Sequence, residues 1–160
     1  MSDTIRTAEP ADTGALLALM RELAEFEKLT HLFEATHESL HEALFGARPA
    51  AETLVAERNG HIVGYALFFH NFSTFLSRRG LYLEDLYVQP ALRGSGLGTA
   101  LLRRLAAIAV ERHCGRFEWS VLDWNQRAID FYMKLGATVL PDWRIVRVTG
   151  DALSQLARSA

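Results

Sequence analysis

Apolar residues recur along this chain with two periods, and each change of period marks a change of element. Leu16, Leu19, Met20, Leu23 and Phe26 return every three or four positions, with Arg21, Glu22 and Glu25 on other faces, which predicts an amphipathic helix over residues 16–26. Ahead of it, residues 4–7 read as a first strand and Asp12 of Pro10-Ala11-Asp12 as the helix N-cap. A shorter helix is expected over 36–45, closed by Gly46. Residues 52–58 and 61–72 flank Asn59-Gly60, a pair suited to a turn with two positive φ angles, so they predict an antiparallel hairpin. Residues 81–88 are apolar on both alternating faces, as an interior strand requires. A helix over 96–113 keeps Leu97, Leu101, Leu105 and Ile108 on one face and is expected to end at Gly115. The strand at 116–122 then returns parallel to 81–88 by a right-handed crossover. A further helix runs from Asp123-Trp124-Asn125 to Leu135 with Gly136 at its C′ position, two strands follow at 137–140 and 143–148, and Asp151 is expected to cap a closing helix. The order of elements is mixed α/β, with hairpins first and a crossover in the middle.

Composition changes this picture little. At 160 residues, 49% hydrophobic and 22% charged, the chain suits one domain over 1–160 with a full core. A net charge of −2 supplies no basic field for nucleic acid. The opening MSDTIRTAEP has no apolar signal core, and no apolar run approaches the roughly 18 residues of a membrane span, so a cytoplasmic protein without a membrane partner is expected. The lone Cys114 is read as a small core residue. His37 and His41 stand one helical turn apart without a third ligand nearby, so they are read as solvated and no metal site is expected.

The candidate chemistry lies at residues 81–98, LYLEDLYVQPALRGSGLG. Pro90 has no N–H for a ladder, and Arg93-Gly94-Ser95-Gly96-Leu97-Gly98 then brings bare amides to the start of a helix, where the dipole and Arg93 favour an anion such as a pyrophosphate. No Gly-Lys-Ser/Thr follows, which excludes a phosphate loop of the ATP-binding kind, and glycines alternating at 94, 96 and 98 do not match a dinucleotide fingerprint. A tight turn without ligand is the alternative. Asn125 and Tyr132, seven apart, share a helix face with the small Ala128 between them. Packing of Tyr132 in the core competes with a functional role. Glu84 places a charge in an apolar strand, where burial would raise its proton affinity and fit it for a base; a structural ion pair is the other reading.

The segments RTAEPAD, ELAEFEKL, LYLEDLYV, RGSGLG, DWN, FY and GA follow one another in this chain. In that combination the sequence resembles the GCN5-related N-acetyltransferase (GNAT) superfamily, nearest its diamine (spermidine/spermine) and thialysine N-acetyltransferases, over almost its whole length. The resemblance implies a mixed, mostly antiparallel sheet whose central parallel pair splays around acetyl-CoA, with helices on both faces. It implies acetyl-CoA as co-substrate, held by Arg93, Gly94, Ser95, Gly96, Leu97, Gly98 and Thr99 and by Asn125, and it implies a homodimer. Tyr132 takes the place of a general acid at the thioester sulfur, and Glu84 that of a base acting through water. A Lys-like ammonium has a reference pKa of about 10.4 and attacks only when neutral, so a proton acceptor is needed. Amides of Leu86 and Val88, freed where the parallel strands part, are candidates to hold the acetyl oxygen. The acceptor is expected to be a small-molecule primary amine, met by Glu27, Glu84 and Phe75. The loop Ser73-Thr74-Phe75-Leu76 lacks the Asp-Pro-Trp segment of the polyamine type and points to a compact amine over a long polyamine. The rival reading is a catalytically silent module that binds acyl-CoA as a sensor.

Overall fold

Five extended segments, β1 (Asp3–Thr7), β2 (Glu52–Arg58), β3 (His61–Ser73), β4 (Arg78–Val88) and β5 (Phe117–Trp119), form one sheet in chain order. The computed structural model describes residues 2–159 and separates them into two compact units, residues 1–120 and 121–160 of the chain. The sheet belongs to the first. Its neighbours pair antiparallel from β1 to β4, and β5 adds parallel to β4. The β2–β3 turn uses positive φ at both Asn59 (52°) and Gly60 (79°), the backbone that the Asn-Gly pair predicts. Helices α1 (Thr13–Phe26) and α2 (His37–Phe45) bury Leu16, Leu17, Met20, Leu40 and Leu44 with Val55, Tyr65 and Tyr87 in one apolar cluster. Leu54, next to Val55 and so turned to the opposite face, is equally buried, as are Phe68, Leu81 and Leu83. Helix α3 (Leu97–Glu111) packs on β2, β3 and β4 with Leu97, Leu101, Leu105 and Ile108 inward, as the sequence period requires.

The register of β4 carries one irregularity. Phe68 pairs with Leu83 and Leu67 with Asp85, so Glu84 has no partner on β3 and is the extra residue of a β-bulge. The bulge also reverses the phase of the backbone. The Leu81 amide points to β5, donating to the Arg116 carbonyl at 3.0 Å, and strict alternation would send those of Leu83, Asp85 and Tyr87 the same way. Yet the Gln89 amide donates to Val63 of β3 at 2.9 Å, so beyond the bulge it is Leu86 and Val88 that turn their amides to the β5 side. There β5 has already ended, since its pairing stops at Leu83 and Trp119.

Several expectations are corrected. Asp12 holds the N-cap position of α1 as expected, but its side chain does not cap the helix; its carboxylate takes the Glu9 amide at 2.7 Å and the Arg6 guanidinium at 2.7 and 3.1 Å, closing a short 3-10 turn at Pro10–Asp12. The left-handed residue after α3 is His113 (φ 58°) and not Gly115, because an amide hydrogen bond from Cys114 back to Ala109 (2.9 Å) already closes the helix. His41 is not simply solvated: it stacks on His37 and its Nδ1 lies 3.2 Å from Thr13 Oγ1. The second unit contains α4 (Gln126–Lys134), ended by Gly136 at φ 96° as predicted, and α5 (Gly150–Arg158). Thr149, not Asp151, is the N-cap residue of α5. Residues 137–140 and 143–148 are not strands; they carry Val139, Leu140, Ile145 and Val146 exposed, and a strand needs a ladder partner that this unit does not contain among its described residues.

The Arg6–Asp12 contact fixes the entry to α1, and hydrogen bonding from Arg6 outweighs burial to hold the Asp12 carboxyl below the usual range. A depressed carboxyl stabilises the fold above its unfolded value of about 3.9, and that contribution is lost as pH falls through the lower folded value. Asp12→Ala should therefore lower the unfolding free energy at neutral pH by about 2 kcal/mol in urea titrations, with the gap to the parent closing in strong acid. Equal midpoints at neutral pH would refute this role.

Candidate active site

The turn between β4 and α3 exposes bare backbone at the start of a helix. After a short 3-10 turn at Pro90–Leu92, Gly94 (φ 82°) and Gly96 (φ 92°) take left-handed backbone, and a Cβ at either would meet nothing within 4 Å. Open space over bare backbone is what a phosphate needs. The first amide of α3 bonded within the helix is Ala100, to Gly96 O at 2.9 Å, which leaves Leu97, Gly98 and Thr99 as the donors at the positive end of a 15-residue helix. Ser95 is tied to the turn by its amide, 3.2 Å from Leu92 O. Arg93 turns toward α1: its guanidinium lies 4.7 Å from the Phe26 ring and 5.9 Å from that of Tyr87, and its Nε is 3.4 Å from Val88 O.

The other half of the site is acidic and follows from the bulge. Glu84 is exposed, against the expectation of a buried charge, because the extra residue escapes the ladder. Asp85 is the carboxylate that is drawn inward. It is partly buried, and its Oδ2 accepts the hydroxyl of the fully buried Tyr65 at 2.9 Å. Burial and the charge of Glu84 push the Asp85 carboxyl up, while the Tyr65 hydroxyl pulls it down. Glu27, just past the end of α1, is pushed up by burial and then by the charges of Asp85 and Glu84, so the three carboxylates sense one another. The remaining acids of that helix end are sorted by the structure. Glu22 takes the Tyr87 hydroxyl at 3.1 Å and Gln89 Nε2 at 3.3 Å, with Tyr87 pushed up to about 12 by burial and by Glu22, while Glu25 is exposed.

Asn125 and Tyr132 belong to the second unit. Asn125 is the N-cap of α4, its Oδ1 accepting the Ala128 amide at 3.3 Å, and Tyr132 lies two turns on with its ring 5.5 Å from that of Phe131. Phe75 stands fully exposed in the loop joining β3 to β4. Between Arg78 and Asp85 the strand runs about 24 Å, so one chain does not bring Phe75 to Glu27 and Glu84. Sequence reasoning passed over Asp85 and Tyr65. A signal for the first was present: two consecutive acids in an otherwise apolar strand belong on opposite faces unless a bulge intervenes.

Residues 16–137 match the family described as Acetyltransferase (GNAT) family. The chain is 39% identical to the thialysine N-epsilon-acetyltransferase of Mus musculus, covering 98% of each sequence. It is 33% identical to the L-ornithine N5-acetyltransferase of Arabidopsis thaliana, over 98% of this chain and 88% of that one. Among solved structures, an integron cassette protein from V. cholerae superposes with a TM-score of 0.83 at 26% identity, over 99% of both chains, and an acetyltransferase of Trypanosoma brucei with 0.73 at 26%, over 92% and 99%. A mixed sheet with a single parallel pair that ends early, a glycine turn opening the following helix, and these relatives together place the chain in the acetyltransferase (GNAT) family of acetyl-CoA-dependent N-acetyltransferases.

Proposed function

We propose that this enzyme acetylates the primary amine of a compact cationic acceptor, a Lys-like amino acid such as thialysine or a short diamine, by direct attack on the thioester. The observation that carries the reading is the bulge at Glu84, which sets Glu27, Glu84 and Asp85 within electrostatic reach of one another beside the amides of Leu86 and Val88. A carboxylate cluster draws an ammonium, and a free amide pair holds an oxygen that gains charge. Glu84, Asp85 and the two amides occur on one stretch of β4, with Glu27 brought to it by the end of α1.

Acetyl-CoA supplies an activated acyl group as a thioester. In this reading the turn from Gly94 to Thr99 holds its pyrophosphate through the amides of Gly94, Gly96, Leu97, Gly98 and Thr99, with Ser95 shaping the turn, Arg93 adds charge from its place against Phe26, and Asn125 contributes a further contact. Glu27 meets the acceptor cation. Glu84, exposed and able to work through water, accepts the proton that the ammonium must lose before attack. The Leu86 and Val88 amides hold the acetyl oxygen, and the Tyr132 hydroxyl donates to the departing sulfur. The family match runs from residue 16 to residue 137, across the boundary between the two units, and supports the view that residues 1–160 work as one N-acetyltransferase domain. Phe72, Phe75 and Leu76 form an exposed apolar tip, which supports a homodimer in which Phe75 is covered or lines the acceptor channel of a second copy. Among the described residues no helix is long and apolar enough to cross a membrane, which agrees with a cytoplasmic enzyme acting on small molecules.

Three measurements test the reading. In hydrogen exchange, the amides of Leu86 and Val88 should exchange much faster than that of Leu81 in the free protein and slow on addition of acetyl-CoA, as should Leu97 to Thr99. No change at any of these amides would remove the coenzyme from this turn. Tyr132→Phe should keep acetyl-CoA affinity and lower kcat by about 10² to 10⁴-fold, the usual contribution of general acid catalysis; an unchanged kcat would exclude it. Over a panel of amines at fixed acetyl-CoA, a Lys analogue or short diamine should exceed spermine by about tenfold or more in kcat/KM, equal to about 1.4 kcal/mol of transition-state binding. Spermine as the best substrate would assign the polyamine type, and turnover of no amine would leave the acyl-CoA sensor.

A further inference from the structure

Tyr65 packs with no exposed surface between β2 and β4, in a setting where a phenylalanine ring would fill the same space. Its hydroxyl is nonetheless committed, at 2.9 Å, to Oδ2 of Asp85. The other tyrosine of this face, Tyr87, has its ring 6.5 Å away and gives its hydroxyl to Glu22, so the two phenols serve different carboxylates. The groups that face Asp85 are Glu84 on its own strand, Tyr65 from β3, and Glu27 from the end of α1. Two of the three are acids, and Tyr65 is the one that donates. We propose that Tyr65 is a positioning residue for acceptor recognition: its hydroxyl fixes Asp85 as a charged, oriented carboxylate for the cationic amine, leaving Glu84 on the bulge to take the proton. The inference rests on the amine-acceptor reading above and adds to it how one buried acid stays usable beside two others.

The physical reason is a balance of opposing effects on one group. Burial and the Glu84 charge favour the protonated form of Asp85, and the Tyr65 hydrogen bond favours the carboxylate. Burial and the Asp85 charge also push the Tyr65 phenol far up, so it remains a donor throughout the range in which an enzyme of this kind works. Removing the hydroxyl makes Asp85 hold its proton to higher pH. Acceptor binding that needs the carboxylate is then lost at higher pH as well.

The experiment is steady-state kinetics on Tyr65→Phe, Asp85→Asn and the double variant, with the best amine of the panel and over a range of pH. Tyr65→Phe should raise KM for the amine about tenfold, leave KM for acetyl-CoA and kcat at saturating amine within about twofold, and move the acid limb of kcat/KM for the amine upward by about one pH unit. Asp85→Asn keeps an acceptor for the phenol but loses the charge, so it should raise the same KM and leave a limb that Tyr65→Phe no longer moves. In the Asp85→Asn background, Tyr65→Phe should add nothing further, which a loss of packing would not reproduce. An amine KM and acid limb like the parent's in Tyr65→Phe overturn the inference. So does an equal loss on both substrates that persists in the Asp85→Asn background. A parent that turns over no amine overturns the acceptor reading itself, and the inference with it.

Discussion

A strand that keeps a ladder on one side and frees amides on the other faces a conflict, because backbone groups tied up in a ladder hold nothing else. β4 resolves it with one extra residue. Before Glu84, it pairs on both sides, with β3 and with β5; after Glu84, it keeps β3 alone and its outward amides fall at Leu86 and Val88. The same insertion releases the Glu84 side chain from the sheet and turns Asp85 to the face where Tyr65 waits. Amide phase, exposed acid and partly buried acid all follow from one change of register, so a deletion there would alter all three together.

The end of α1 ties this stretch to the glycine turn. Phe26, its last residue, lies under the Arg93 guanidinium, and Glu27, the next, senses Asp85 and Glu84. Glu22, four residues before Phe26, holds Tyr87 and Gln89, the residues that lead β4 into Pro90 and the turn. A single helix terminus thus braces the glycine turn through an aromatic contact and a hydrogen-bonded acid, while its following carboxylate stands near Asp85 and Glu84. The neutral packing residues of α1, Leu16, Leu17 and Met20, anchor that terminus in the core.

Most of this was legible in the sequence, and the departures share one cause. Periods of 3.6 and 2 are local properties, so α1, α3 and the β2–β3 hairpin could be read from spacing and from Asn59-Gly60. The glycine turn was legible because Gly94 and Gly96 take backbone that other residues avoid. What failed depended on which partner a group meets in the fold, and spacing alone does not show that. Asp12 has the chemistry of an N-cap, but Arg6 and the Glu9 amide compete for it and win. Residues 143–148 have the composition of a strand, yet composition does not supply a ladder. Glu84 was found and its burial misjudged, since alternation fixes a face only while the register holds.

The carboxylate group also shows why such a site is stable enough to exist. Three acids in one place repel, and burial of Asp85 and Glu27 adds a desolvation cost that the fold must offset. Here the offset is divided among positions that differ in exposure. Glu84 stays in water, where its charge is cheap; Glu27 sits past the end of a helix; and only Asp85 goes inward, with a dedicated donor. On the proposed reading, a cationic acceptor would relieve the repulsion on arrival, and part of its binding free energy would come from strain already present in the free protein. Because that relief would need charge close to all three acids, the same reading has a short cation that concentrates its charge gain more from it than a long one that carries its second charge beyond their reach.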